Sequence, residues 1–450
     1  MPRITKPEFQ SSFYRKLKDK AHTDLHIVVI GTKPDIIKQA PLVLELKKRD
    51  KLILLGHTGQ HYDAQLNEDA QKVFGISPDF NINARGAMDE KMGQMVSRFG
   101  AVITELAHSG KNIIPYVHGD TTTAVATAIA AFINTVAPAH VEAGLRSYNI
   151  NEQIISRAVR TLKFDRYYAQ LQDQRNWHKG SLEPYPEQFD TRTIGTTAGI
   201  HFAPTSVNAE NLIAEGYRKD RIAVVGNSVA DAIKIAMGKK SAVMQRYPAL
   251  QKGFVRFTVH RRENVASYHR FATIFETMED LVKNGTTVLW LAHNANKDAM
   301  ARFNLQKKLD KLIARYPNLI YSDTLWDYDD NIVALSNASV NVTDSGSEQE
   351  ETNILHVPSV TVRFGSDRPE TAWAGCNIIT PPISVAFLSM AIQGAYNNKN
   401  LRIAPNLYGT NVSRKIADLV DRVLTKDGSL WQWSHEQYGF DKQDYWRKRS

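Results

Sequence analysis

A single cysteine, Cys376, stands in 450 residues, so no disulfide can close within the chain and no zinc site can be built from thiolates. That scarcity suits a reducing compartment. Long apolar runs are missing too: the longest, Ala124 to Ile133 with one threonine forgiven, is about half of what a bilayer span requires. The opening stretch MPRITKPEFQSSFYRKLKDKAHTD has no apolar h-region, which argues against a secretory signal and for a soluble, cytoplasmic protein with no membrane partner. With only 17 prolines and 25 glycines, but 17 tyrosines and 17 phenylalanines, the chain is too poor in breakers and too rich in aromatics for a disordered protein. It lacks a G-x-x-x-x-G-K-[ST] loop, a G-x-G-x-x-G after the first strand, H-E-x-x-H and G-x-S-x-G. Walker-type hydrolysis, dinucleotide hydride transfer, zinc proteolysis and hydrolase-elbow chemistry therefore lose their usual signatures.

What is present is a moderate positive excess, +9 with a pI near 9.3, suited to an anionic ligand such as a nucleotide sugar, a polyanion or nucleic acid. The spacing of short apolar runs predicts an α/β protein. Leu25 to Ile30, Leu52 to Leu55, Ile113 to Val117 and His140 to Val141 read as strands. Helices are expected between them, one carrying Leu42 to Leu46 with Pro41 in its first turn, one at Ala64 to Phe74 and one at Ala124 to Ile133. The rhythm restarts with Ile222 to Val225, Phe254 to Val259, Val288 to Leu291, Leu319 to Tyr321, Val340 to Val342 and Val360 to Val362. Two parallel-sheet halves follow, with a seam near 205–220 and a closing helix near Val412 to Leu424. The expected division is a polar extension 1–24, a first domain 25–215, a second 216–410 and a helical end 411–450. The span from Arg146 to Pro186, dense in Arg, Lys, Tyr and Trp, is read as an insertion in the first domain at about 148–184. Ile155, Val159 and Leu162 at helical spacing make it an amphipathic surface element, or alternatively a basic contact surface.

In open parallel sheets ligands bind beyond the carboxyl ends of the strands. Five segments sit there. Gly31 to Lys38 offers Lys33 and Lys38 to phosphate oxygens, or is an ordinary turn with exposed lysines. Val117 to Thr123 places Asp120 ahead of hydroxyl residues, where assistance to a helix N-terminus is the plainer role. Glu142 stands at the tip of an apolar strand, and a buried carboxylate is rare unless paired or functional. Asp344 to Glu351 brings small residues to a helix start, although Ser347 and Glu350 also spell a capping box. Val259 to Asn264 runs into His260 and two arginines, which suits a phosphate or a proton donor as well as a bare basic turn.

Taken in order, GTKPDIIKQAPLVLEL, TGQHYDAQL, HGDTTTAVATAIAAF, HVEAGLRS, PYPEQF, HFAPT, VVGNSVADAI, VHRREN, TDSGSEQEE and DRPETAWAG resemble the non-hydrolysing UDP-N-acetylglucosamine 2-epimerase family over about Ile27 to Gly375. The resemblance implies the glycosyltransferase-B fold, two Rossmann-like parallel-sheet domains facing a cleft. It also implies a homodimer in polysaccharide biosynthesis, acting on a UDP-sugar without cofactor, metal or nucleic acid. The implied reaction removes the C2 proton as UDP leaves C1, forms a 2-acetamidoglucal, and adds UDP back with protonation from the other face. By similarity Asp120, Glu142 and Glu187 are the acid/base carboxylates, and His260 supports the diphosphate or the leaving-group proton. Lys38, Ser345, Gly346 and Ser347 are expected to bind phosphates, with Lys33 beside them; Glu351 the ribose, Arg368 UDP, and His293 lies near the substrate. An activating UDP-sugar site in bacterial members lies near TGQH, where Gln60 and His61 stand. Two departures matter. Lys33 replaces an arginine, losing a bidentate fork, and the PEEANR-like run reads Pro186-Glu187-Gln188-Phe189-Asp190-Thr191. A glycosyltransferase with an acceptor near the insertion, or a nucleotide-sugar-binding module, would share this fold.

Overall fold

The computed structural model describes residues 6–59, 73–180, 187–324 and 326–435. The helix expected at Ala64 to Phe74 falls almost wholly outside the described residues, as do Gln60 and His61. Two compact units emerge: Met1–Leu145 with Pro184–Ala232 and Tyr408–Ser450, and Arg146–Glu183 with Ile233–Leu407.

The sheet of the first unit runs, in spatial order, Glu8–Phe9, Phe80–Asn81, Leu52–His57, Asp24–Ile30, Asn112–His118, Ala139–Val141, Ile200–Ala203 and Ile222–Val224. Only the edge pair Glu8–Phe9 with Phe80–Asn81 is antiparallel. Central strands of a parallel sheet are covered on both faces, and Leu25 to Ile30 is accordingly buried at every position. The helix Lys33–Lys48 starts earlier than the sequence suggests. Thr32 caps it, Asp35 returns the bond to the N–H of Gly31 and Thr32, and Pro34 rather than Pro41 occupies the first turn. Pro41 sits inside the helix, a correction that the strong cap at Thr32 explains. Along this helix packs the last long one, Val412–Asp427, through buried Ile416 and Val420.

The second unit has six parallel strands in the order Leu319–Ser322, Val288–Leu291, Val255–Thr258, Val340–Thr343, Ser359–Thr361 and Asn377–Ile379. Two expectations about the seam are corrected. Ile222–Val224 pairs in parallel with Ile200–Ala203 and ends the first sheet, so the division falls after Ala232. Residues 146–183 group with the second unit, not the first. The reason is shared burial: Ile150, Ile155, Ala158, Tyr167, Leu171 and Trp177 lie in one core with Phe257, Phe387 and Ile392. Tyr148–Ile150 pairs antiparallel with both Trp177–Lys179 and Gly365–Ser366. The amphipathic reading of this segment holds for Ile155 and Val159, whereas Leu162 ends its helix in a left-handed conformation and is exposed. No helix among the described residues is long and apolar enough to cross a membrane.

A charge is buried in the middle of the second sheet. Arg256, on the central strand Val255–Thr258, donates to both oxygens of Glu348 at 2.9 and 3.1 Å, to Asn341 Oδ1 at 2.8 Å and to Asn331 Oδ1 at 2.6 Å. Thr258 and Asn341 donate to the same carboxylate, which these partners and the guanidinium hold down at about 2 although burial alone would raise it. Breaking one side of such a pair strands a buried charge, at a cost of about 3–5 kcal/mol, while replacing both sides by apolar groups is often neutral. Glu348→Leu should therefore lower the urea midpoint sharply, and Arg256→Met added to it should restore most of the loss; a double variant no better than the single would show that the pair is not coupled.

Candidate active-site residues in the two units

Three adjacent strands of the first sheet, Asp24–Ile30, Asn112–His118 and Ala139–Val141, deliver their next residues to one edge. The chain after each carries Lys38, Asp120 and Glu142 respectively. Glu142 is buried, 2% exposed, in a left-handed backbone conformation at φ 63°. A glutamate held there carries roughly 1–3 kcal/mol of local strain that its surroundings must offset. They do so with Lys38 Nζ at 2.5 Å and Asn227 Nδ2 at 2.7 Å, both donating to Glu142 Oε2, and His118 Nε2 at 3.8 Å. Ser228 Oγ donates to the carbonyl of Lys38 at 2.5 Å, tying the lysine's own backbone to the loop that supplies Asn227. Gly119, at φ 66°, brings the neighbouring loop against this carboxylate; a Cβ there would come within 3.3 Å of Glu142 Oε1.

Lys38 thus has its ammonium on a carboxylate. Its buried charge supplies the counter-ion that lets Glu142 stay ionised out of water. Asp120 is half-buried and lies just outside the helix Thr122–Ile133, whose cap is Thr121, so it is not the capping residue. Lys33, also half-buried, opens the helix Lys33–Lys48. Glu187 opens the helix Glu187–Thr197. That helix leads into Ile200–Ala203, which runs parallel to Ala139–Val141, so its first turn lies back toward the carboxyl edge of the sheet.

In the second unit, Asp344 follows the strand Val340–Thr343 and is fully buried. Its carboxylate accepts the backbone N–H of His260 at 2.9 and 3.1 Å, that of Arg261 at 2.9 Å and Asn264 Nδ2 at 2.9 Å. Burial raises its pKa despite these bonds. The result is a fixed turn that presents His260 against His293, ring centroids 4.3 Å apart and planes 27° apart. Burial, with Arg261 adding to it, lowers His260 to about 4; burial and then His260 lower His293 to about 3. Both imidazoles are neutral at physiological pH, so they offer hydrogen bonds rather than charge.

The capping box read at Ser347 and Glu350 does not form. The cap of the helix Gly346–Ile354 is Ser345, without a side-chain cap bond, and Ser347 is inside the first turn. Glu350 instead accepts Arg368 Nε at 2.9 Å. Arg368 also binds Asp367, itself held by Arg363 at 2.9 Å, and a Cβ on Gly346 would lie 3.0 Å from Arg368 Nη1. A buried guanidinium therefore rests against a helix start whose N–H groups carry no side-chain cap, the arrangement that favours an anion. Glu351 accepts the hydroxyl of Tyr328 at 3.2 Å. Asn227, His118 and Asp344 were not singled out for roles from sequence, although each lies inside a quoted motif; for Asp344 the available signal was its place directly after a buried strand, whereas His118 ends a strand and Asn227 follows a partly exposed one. No group of three or more metal-ligating side chains occurs among the described residues.

The chain as a whole is similar to known proteins. The sequence profile of the UDP-N-acetylglucosamine 2-epimerase family matches residues 44–163 and 180–421. The UDP-N-acetylglucosamine 2-epimerase of Campylobacter jejuni is 31% identical over 364 residues, spanning 78% of this chain and 84% of that protein. Among solved structures, Methanocaldococcus jannaschii UDP-GlcNAc 2-epimerase in complex with UDP-GlcNAc and UDP is 27% identical, with a TM-score of 0.72 over 89% of this chain and 99% of that one. The Neisseria meningitidis enzyme bound to UDP-GlcNAc, 24% identical, shares the fold at the same TM-score of 0.72 over 88% of this chain and 100% of that one. The two Rossmann-like units are those of a glycosyltransferase-B fold, and the chain belongs to the UDP-N-acetylglucosamine 2-epimerase family.

Proposed function

We propose that this protein inverts C2 of UDP-N-acetylglucosamine, by loss of UDP with the C2 proton and re-addition of both with the opposite stereochemistry at C2. The observation that carries the reading is the buried Lys38–Glu142–Asn227 cluster, a carboxylate held charged in a dry place beside a strand edge. Such a group is held in place to meet a carbon-bound proton without first shedding water. Glu142, Asp120 and Glu187 divide the proton transfers. Ser345, Gly346 and Ser347 receive the diphosphate on the helix start, Arg368 supplies fixed positive charge, and the neutral His260 and His293 donate hydrogen bonds to phosphate oxygens or to the departing group. Glu351 takes the ribose hydroxyls; Lys33 stays near the phosphates. The protein works in the cytoplasm as a homodimer, with the UDP-sugar as its only small-molecule partner.

Incubation with UDP-N-acetylglucosamine in deuterated water, followed by NMR, should show deuterium at C2 and the manno epimer. Free UDP without C2 exchange, accelerated by a sugar acceptor, would mark a transferase instead. Glu142→Gln and Asp120→Asn should each slow exchange by about 10²–10⁴-fold, the usual weight of general acid/base catalysis; turnover like the parent in either would assign that residue a structural role. Gly346→Val should weaken UDP binding by about tenfold or more, the scale of a lost helix-terminus contact, while Glu142→Gln leaves UDP affinity within a few-fold. Equal UDP affinity for Gly346→Val and the parent, read by calorimetry, would remove the helix start from the phosphate site.

A further inference from the structure

We infer that Asp190 is a positioning residue for Glu187, its carboxyl group donating to the Glu187 carboxylate from within the first turn of the helix Glu187–Thr197. This rests on the proposed role of Glu187. Asp190 is only 4% exposed and its Oδ2 has no hydrogen-bond partner; Thr191, 1% exposed, likewise leaves Oγ1 unpartnered. Four consecutive residues, Gln188 to Thr191, include three that are buried and polar, an odd composition for a face that packs on another helix. Residues three apart on a helix are neighbours, with Cβ atoms about 5–6 Å apart, so the carboxyl groups of Glu187 and Asp190 are within reach of each other. A carboxyl group buried beside a negative charge keeps its proton to higher pH.

Among the described residues, the helices beside Asp190 offer it no competing charge. The helix packed against it, Thr122–Ile133, has no titratable side chain. Arg192, on the same helix, donates to Glu215 at 2.8 Å. Among the described residues the charge that acts on Asp190 is that of Glu187, and burial together with that charge pushes Asp190 up to about 7. Below this pH Asp190 is a neutral acid and an O–H donor; above it, a second negative charge with nothing to donate. Asp190 thus supplies, only while protonated, the donor that orients the Glu187 carboxylate.

The test is the pH dependence of C2 exchange for the parent, Asp190→Asn and Asp190→Ala. The parent rate should fall above about pH 7, approaching tenfold per pH unit if the protonated form alone is active. Asp190→Asn, a donor at every pH, should lose this alkaline fall, and Asp190→Ala should be slow throughout with KM little changed. An alkaline fall that persists in Asp190→Asn, or an alanine variant that matches the parent, overturns the inference. Absence of C2 exchange by the parent at every pH would instead defeat the functional reading. The protonation of Asp190 is then still open to measurement by urea unfolding. A raised carboxyl pKa contributes stability that is present below the unfolded value near 4 and lost as pH rises through about 7, so the parent should lose ground to Asp190→Asn between those limits and hold a constant gap above them. Glu187→Gln should narrow that gap, because the charge of Glu187 is one cause of the raised Asp190; a gap unaffected by Glu187→Gln refutes the coupling of the two residues.

Discussion

A carboxylate can remain charged inside a protein only if something of opposite sign is buried with it. In the first unit this condition falls on Glu142 and Lys38, and much of the local architecture follows from satisfying it. The lysine must come from the helix that leaves one strand and the glutamate from the tip of another, which fixes the strand between them, Asn112–His118, as the middle of three. The amide of Asn227 completes the shell and requires a strand still farther along, Ile222–Val224, to belong to the same sheet. The glycine at 119 is then dictated by the proximity of its loop to the carboxylate.

The second unit solves a different problem, holding a helix start still without spending its N–H groups on a cap. Below the first turn, Glu348 is locked to the strands by Arg256, Thr258 and Asn341. Beside it, Arg368 is locked by Glu350 and Asp367. Each cation is balanced by carboxylates within the same unit, so the rigidity is obtained with little net charge. Asp344 does similar work for the histidine turn through backbone N–H groups, which a substitution of side chains elsewhere cannot alter.

Most of the parallel strands were legible because each is a short run dominated by apolar, often β-branched residues, even where Arg256 or Asn341 interrupts it, and the family followed from the order of motifs at their exits; Ile200–Ala203 and Asn377–Ile379 escaped the reading. Burial of Glu142 was legible for the same reason, as a charge appended to such a run. What could not be read was membership. Ile222–Val224 looks like any other short strand until it pairs, and the segment 146–183 shows its apolar face without showing which core receives it. Pro41 misled because proline is commonest at helix starts, while the true start was marked by Thr32 and Asp35 three residues apart. The Ser347–Glu350 spacing satisfied a capping rule that Arg368, distant in sequence, overrode by claiming the glutamate.

The order in which the chain visits its two units has a consequence for biogenesis. The polypeptide passes from the first unit to the second at 145–146 and again at 232–233, and its final return, from Tyr408 onward, brings the helix Val412–Asp427 that covers Lys33–Lys48. A ribosome therefore releases every residue of the second unit before that helix can pack on Lys33–Lys48. The nascent first unit must wait with part of its apolar surface uncovered through the 175 codons of residues 233–407, a window in which chaperone binding is favoured and truncated products are exposed to proteolysis.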